Sequence, residues 1–161
     1  MPTAWRITTT SDATRAFSGD GARLYGGRWN SKGVRVVYLA DYVSAAALEQ
    51  LVQVGSIRAL PVYHLFAVTL PADAVQPVDL QTLPPSWHAP NRDPMVQAVG
   101  DGWVASGESL ILRVPSAIVP HHANYLLNPG HPDFSMLIIA PPESIALDPL
   151  RRRIVKAAAH S

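Results

Sequence analysis

Apolar and β-branched residues fall in short runs along this chain, and most runs end at a proline, a glycine or a cluster of small polar residues. Trp5-Arg6-Ile7-Thr8-Thr9 is aromatic and β-branched and predicts a short strand. Residues 11–17 suit one or two helical turns. Ser18 to Gly33 holds five of the ten glycines and predicts a loop. Val34 to Leu39 predicts a strand by composition and alternation. Ser44 to Val54 is the best helix: Ser44 suits an N-cap, Leu48, Leu51 and Val52 form an apolar stripe, and Gly55 suits a C-cap. Pro61 to Leu70 predicts a strand stopped by Pro71, and the Pro-rich residues 71–94 an ordered loop with one or two short strands. Met95 to Ser106 has helical spacing at Val96, Val99 and Trp103, against which Gly100 and Gly102 count. Further strands are predicted at 109–114, 124–127, 134–139 and near 145–147. Strands dominate, with two substantial helices. The expected class is α+β, with a mixed, mainly antiparallel sheet.

Composition narrows this. A chain of 161 residues is read as one domain, with a core over about 4–150 and a basic tail over 151–161. At this size roughly 70% of the unfolded surface can be buried, so neither disulfides nor metal are needed to build a core. The chain has no cysteine, which excludes a disulfide scaffold, a thiolate zinc site, an iron–sulfur cluster and a cysteine nucleophile, and suits a reducing compartment. No signal-like or membrane-spanning run is visible, and the expected location is cytoplasmic. The net charge of +1 hides an uneven layout: residues 1–60 carry +3, residues 61–149 carry −6 and residues 150–161 carry +4. Fourteen of the fifteen prolines lie from Pro61 onwards.

Common motifs are absent. Gly19-Asp20-Gly21 starts like a dinucleotide fingerprint, but Leu24 stands where the third glycine belongs. There is no P-loop and no nucleophile elbow. His121 and His122 are adjacent, a poor arrangement for chelation from a regular element, and no metal is expected. The tail Arg151-Arg152-Arg153-Ile154-Val155-Lys156 is read as a solvated helix end or terminus in preference to a nucleic-acid contact.

The unusual segment is Gly19-Asp20-Gly21-Ala22-Arg23-Leu24-Tyr25-Gly26-Gly27-Arg28-Trp29-Asn30. Glycine lets backbone approach a ligand closely. Arginine offers a planar fork to phosphate or carboxylate. The pattern suits an anion-binding loop, and equally a hairpin with ordinary surface arginines. Tyr38 ends the next strand, as a pocket residue or a core ring. Small Ala45 and Ala46 allow the following helix to pack closely and aim Glu49 inward; a solvated carboxylate is the alternative.

The ordered set Trp5-Arg6, Gly26-Gly27-Arg28-Trp29-Asn30, Val37-Tyr38-Leu39, Ala47-Leu48-Glu49, Gly100-Asp101-Gly102-Trp103, Val114-Pro115-Ser116 and Leu127-Asn128-Pro129 resembles the RES family over about residues 4 to 150. These are toxins of bacterial toxin–antitoxin pairs, and the Arg, Glu and Ser of the family's name match Arg28, Glu49 and Ser116. The resemblance implies an ADP-ribosyltransferase-like fold and cleavage of the nicotinamide–ribose bond of NAD, with water, phosphate or a protein side chain as acceptor. It also implies an Xre-like antitoxin that blocks the active site, with nucleic acid reached only through that partner. Glu49 is then expected to stabilise charge on the ribose. Arg28 would grip a phosphate or ribose, and Tyr38 would stack on or bond the nicotinamide. Ser116 would orient the nicotinamide amide or Glu49, a turn residue being its alternative. Arg6, Arg23, Tyr25 and Asn128 are further ligand contacts on this reading. The competing function is a noncatalytic NAD- or nucleotide-binding regulatory protein.

Overall fold

The computed structural model describes residues 2–54 and 60–160. Its centre is a sheet in which β1 (Thr3–Thr8) lies between β2 (Val37–Ala40) and β3 (Tyr63–Thr69), antiparallel to both. β2 pairs with β6 (Ala123–Leu127), and β6 with β5 (Ile111–Pro115), again antiparallel. β4 (Val75–Pro77) closes that side as the one parallel neighbour among the described strands. The far side of β3 is shared by two fragments, β7 (Ile138–Ile139) and β8 (Glu143–Ile145). The expected mixed, mainly antiparallel α+β arrangement is therefore present.

Alternation along the strands sorts the core into two faces. Ala4, Val37, Leu39, Phe66, Val68, Ile111 and Leu127 pack with Phe17 on one face. On the other, Leu112, Val114 and Leu126 meet Val96 and Trp103 of α4 (Pro94–Ser106), while Ile7, Ala40 and Leu65 meet Ala45, Ala46 and Ala47 of α3 (Val43–Val54). The three alanines bring α3 close to the sheet. α4 is well delimited: Asp93 caps the Met95 N–H, Pro94 occupies the first turn, and Gly107 ends the helix at φ 63°.

Several expectations are corrected. The stretch 18–33 is not all loop, because Asp20–Tyr25 forms a short helix, α2, following α1 (Ala13–Ala16). Gly21 lies inside its first turn, while Gly19 at φ 76° and Gly26 at φ 72° flank it, where positive φ starts and stops the helix. Residues 134–139 do not form one strand. His131 caps Asp133, Pro132 opens a 3-10 turn over Pro132–Met136, and only Ile138–Ile139 pairs. Ser44 lies inside the first turn of α3, not at its cap; Gly55 lies outside the described residues. The last strand ends at Ile145, and Leu147 packs under α3. The basic tail forms the helix α5 (Asp148–Ala159), whose described side chains are mostly exposed. No described helix is long and apolar enough to cross a membrane.

Candidate active site

A cleft of about 670 Å³ opens between α3, the ends of β1 and β2, and the glycine-rich segment 18–29, a size typical of small-molecule sites. Its floor is built by the loop 26–31. Asn30 is fully buried, and its amide donates to the carbonyls of Ala22, Ser31 and Val34 at 2.8–3.1 Å. The Asn30 Oδ1 accepts a 2.6 Å bond from the Tyr38 hydroxyl, which in turn accepts from the Trp29 N–H at 3.2 Å. Tyr38 thus ties the loop to β2. The Gly27 Cα approaches so closely that a Cβ there would lie 2.5 Å from the Tyr38 hydroxyl and 2.7 Å from Asn30 Oδ1.

α4 clamps the same loop from behind. Gln97 donates to the Gly27 carbonyl at 2.9 Å, and Asp101 accepts from the Ser31 N–H and hydroxyl. Gly100 lets the helix rest on the Trp29 carbonyl. The loop in turn presents Arg28, whose Nη1 donates to the carbonyls of Trp87 and Ala89, both at 2.8 Å. Arg28 therefore draws residues 87–92 of the Pro-rich segment over the cleft. Arg92 lies there too and donates to the Tyr25 carbonyl at 2.8 Å.

Glu49 enters from α3. The Asn124 amide of β6 donates to its Oε1 at 2.9 Å. Burial raises the Glu49 carboxyl above the usual glutamate range and Asp41 adds to this, while the Asn124 bond and the Arg28 charge act the other way. The Arg28 guanidinium is lowered, first by burial and then by Arg92, with Tyr38 and Glu49 opposing. Burial pushes the Tyr38 hydroxyl up. Arg6 donates to the carbonyls of Ala16 at 2.7 Å and Tyr38 at 3.0 Å, and burial lowers it to about 10. The cleft lining thus combines the carboxyls of Glu49 and Asp20, the latter paired with Arg23 and Arg35, with the cations Arg6, Arg15, Arg28 and Arg92. That balance suits an anionic ligand with one centre of developing positive charge. No group of three or more His, Asp or Glu side chains among the described residues is placed to hold a metal ion.

The family model for the RES domain matches residues 3–148. The chain belongs to the RES family. The RES match is accompanied by similarity to a protein named Toxin Res from Photorhabdus laumondii, 40% identical over 134 residues, covering 83% of this chain and 86% of that protein. A protein named Prs ADP-ribosylating toxin, from a Sphingobium species, is 37% identical over 135 residues, covering 80% of this chain and 83% of that protein. Among solved structures, the M. tuberculosis MbcT–MbcA toxin–antitoxin complex contains a chain that superposes with a TM-score of 0.74 at 23% identity. The match covers 94% of this chain and 87% of that one, so the two share a fold.

Of the residues expected from the RES resemblance, Arg6, Tyr25, Arg28, Tyr38 and Glu49 all line the one cleft. Ser116 stands behind its wall: the buried Oγ accepts the N–H groups of Ile118 at 3.2 Å and Val119 at 3.0 Å, and Ala117 and Ile118 form the lining. Arg23 is not among the lining residues; it pairs, half-exposed, with Asp20, which is. Asn128 is buried away from the cleft, accepting from the Gly130 N–H at 3.0 Å to form the Asn128-Pro129 turn. Among the lining residues not anticipated are Arg15, Arg92 and Asn124. Arg92 had a faint signal as one of only two cations between residues 61 and 149.

Proposed function

We propose that this RES protein is a toxin enzyme that consumes NAD, breaking the nicotinamide–ribose bond and passing ADP-ribose to water, phosphate or a protein side chain. The observation that carries the reading is Glu49, a carboxylate held by Asn124 in a cleft whose lining also carries Arg6, Arg15, Arg28 and Arg92. Cleavage of an N-glycosidic bond builds oxocarbenium character on the ribose, which an adjacent carboxylate stabilises. The bonding electrons leave with the nicotinamide nitrogen, neutralising its positive charge, so no strong general acid is required. Arg28 and Arg92 suit the pyrophosphate, since a guanidinium pairs with phosphate oxygens through parallel N–H groups. The Tyr38 hydroxyl is already bonded on both sides, which leaves its ring as the surface offered to nicotinamide. On this reading Ser116 shapes the 117–119 wall.

The similarity to a Prs ADP-ribosylating toxin and to a chain of a toxin–antitoxin complex supports a transferase with an antitoxin partner. We assign that partner to the Xre-like class, seated over the cleft mouth. Tyr25, Val52 and Ile118, all among the lining residues, are 70%, 58% and 41% exposed and give the mouth an apolar rim.

The test is incubation of purified protein with NAD, with and without phosphate and cell extract, followed by product analysis. Nicotinamide release is expected, and its co-product names the acceptor: ADP-ribose, its phosphorylated form or a modified protein. Arg28→Ala and Glu49→Ala should each abolish release while leaving the fold intact. Full activity in either variant overturns the site. NAD binding without turnover replaces the enzyme with a nucleotide-binding regulator.

A further inference from the structure

Asn124 occupies the middle of the sheet, opposite Ala40 of β2 and Val114 of β5. β6 is paired on both sides, which fixes the backbone that carries it. Its Nδ2 donates to Glu49 Oε1 at 2.9 Å, a bond between two elements 75 residues apart in sequence. Its Oδ1 is buried and finds no hydrogen-bond partner among the described residues. An unsatisfied buried acceptor opposes folding. Turning the amide over would not relieve this, because Oδ1 would then face the Glu49 oxygen. The side chain is thus held in the orientation that serves Glu49 and leaves its own acceptor unmet.

We propose, resting on the NAD-cleaving reading above, that Asn124 is a positioning residue for Glu49. Its amide fixes the rotation of the carboxylate towards the ribose and keeps that carboxylate ionised in a desolvated cleft. A charge-assisted bond to the ionised form favours that form. The other groups acting on Glu49 are Asp41, at the junction of β2 and α3, which opposes ionisation, and Arg28 of the glycine-rich loop, which favours it. His122, immediately before β6, lies 3.3 Å from Asp41. Arg6 of β1 lines the same cleft. Of these, Asn124 alone both bonds the carboxylate and carries no charge that titrates.

The experiment measures kcat and KM for nicotinamide release between pH 4 and pH 9 in the wild-type chain, Asn124→Leu and the near-isosteric Asn124→Asp. Removing a hydrogen bond to a charged group should lower kcat of Asn124→Leu roughly tenfold to a hundredfold. KM for NAD should stay nearly constant, and the acid limb of the kcat profile should move to higher pH. In Asn124→Asp two carboxyls share the position, so one retains a proton and the acid limb should rise by roughly one pH unit or more. An acid limb that stays in place in Asn124→Asp overturns the proposal. So does a kcat loss in Asn124→Leu with no movement of the limb, which would indicate a structural role only. If Asn124→Leu does not fold, the Asp variant decides. A wild-type chain that releases no nicotinamide overturns the NAD-cleaving reading itself, whereas an active wild type with unchanged variants overturns only the role of Asn124.

Discussion

Gly100→Ala is a severe test of how the cleft is held. Gly100 is buried in α4, and a Cβ built on it would lie 2.8 Å from the Trp29 carbonyl carbon and closer still to its oxygen. Carbon–carbon contacts settle at about 3.5–4.0 Å, so helix and loop must separate by roughly 1 Å. Two effects oppose each other. Alanine is favoured over glycine in a helix interior by about 1 kcal/mol. Overpacking costs typically about 1–3 kcal/mol, and the upper end applies here because a peptide carbonyl cannot rotate aside as a flexible side chain does. The net loss is about 2 kcal/mol, which lowers Tm by roughly 4–8 °C for a chain of this size. Gly102 supplies the control. It lies two residues along the same helix with nothing within 4 Å of its hypothetical Cβ. Gly102→Ala gains only the helical term, and Tm should rise by roughly 2–4 °C. Thermal unfolding of the two variants side by side measures the difference. Because the displaced loop carries Arg28, nicotinamide release by folded Gly100→Ala should also fall, by up to about a hundredfold for a shift near 1 Å. If Gly100→Ala melts level with or above Gly102→Ala, the account of the helix–loop contact is wrong.

Glu49→Gln should lower kcat by roughly 10²–10³ while making the protein more heat-resistant at pH 8. The carboxyl is raised in the fold, so the native chain holds its proton more tightly than the unfolded one. Stability therefore falls as pH climbs from the unfolded glutamate value through the raised one, and the cost is fully present above it. Glutamine escapes that cost and keeps an acceptor for Asn124; its advantage should shrink towards pH 4, and a pH series of melts checks this. Ser116→Ala removes the acceptor of two part-buried loop N–H groups and should cost about 0.5–1.5 kcal/mol of stability. It should raise KM for NAD more than it lowers kcat. A kcat collapse as deep as that of Glu49→Gln would instead put the hydroxyl at the reacting atoms.

The strands were legible as short apolar runs bounded by prolines and turn residues; the central ones are buried on both faces, as in Ile111-Leu112-Arg113-Val114, where Ile111 meets one cluster and Leu112 and Val114 the other. α2 was hidden because its flanking glycines dominate the composition of the segment, and their capping role shows only in the backbone angles. The strand expected at 134–139 failed where His131 and Pro132 impose a turn that outweighs the apolar run. Within the site, Arg28, Tyr38 and Glu49 lie within 22 residues, and short-range sequence reading gathers them well. Asn124 and Arg92 reach the cleft only through sheet register and the Arg28 bonds to Trp87 and Ala89. Ser116 and Asn128 show the opposite case: each follows or precedes a proline, and in each the side chain bonds nearby backbone N–H groups, forming a turn.

The split outer flank of β3 bears on what this chain does when it meets copies of itself. A sheet edge with a long row of unpaired N–H and C=O groups templates further strands, and chains stack upon it. Here one boundary is a two-residue and a three-residue fragment with Pro141 and Pro142 between them, and the opposite boundary is a three-residue strand ending in Pro77. Neither offers enough consecutive backbone groups to seed a ribbon. Such a molecule can accumulate at high concentration, newly made or stripped of a protein that covered it, without being drawn into intermolecular sheets.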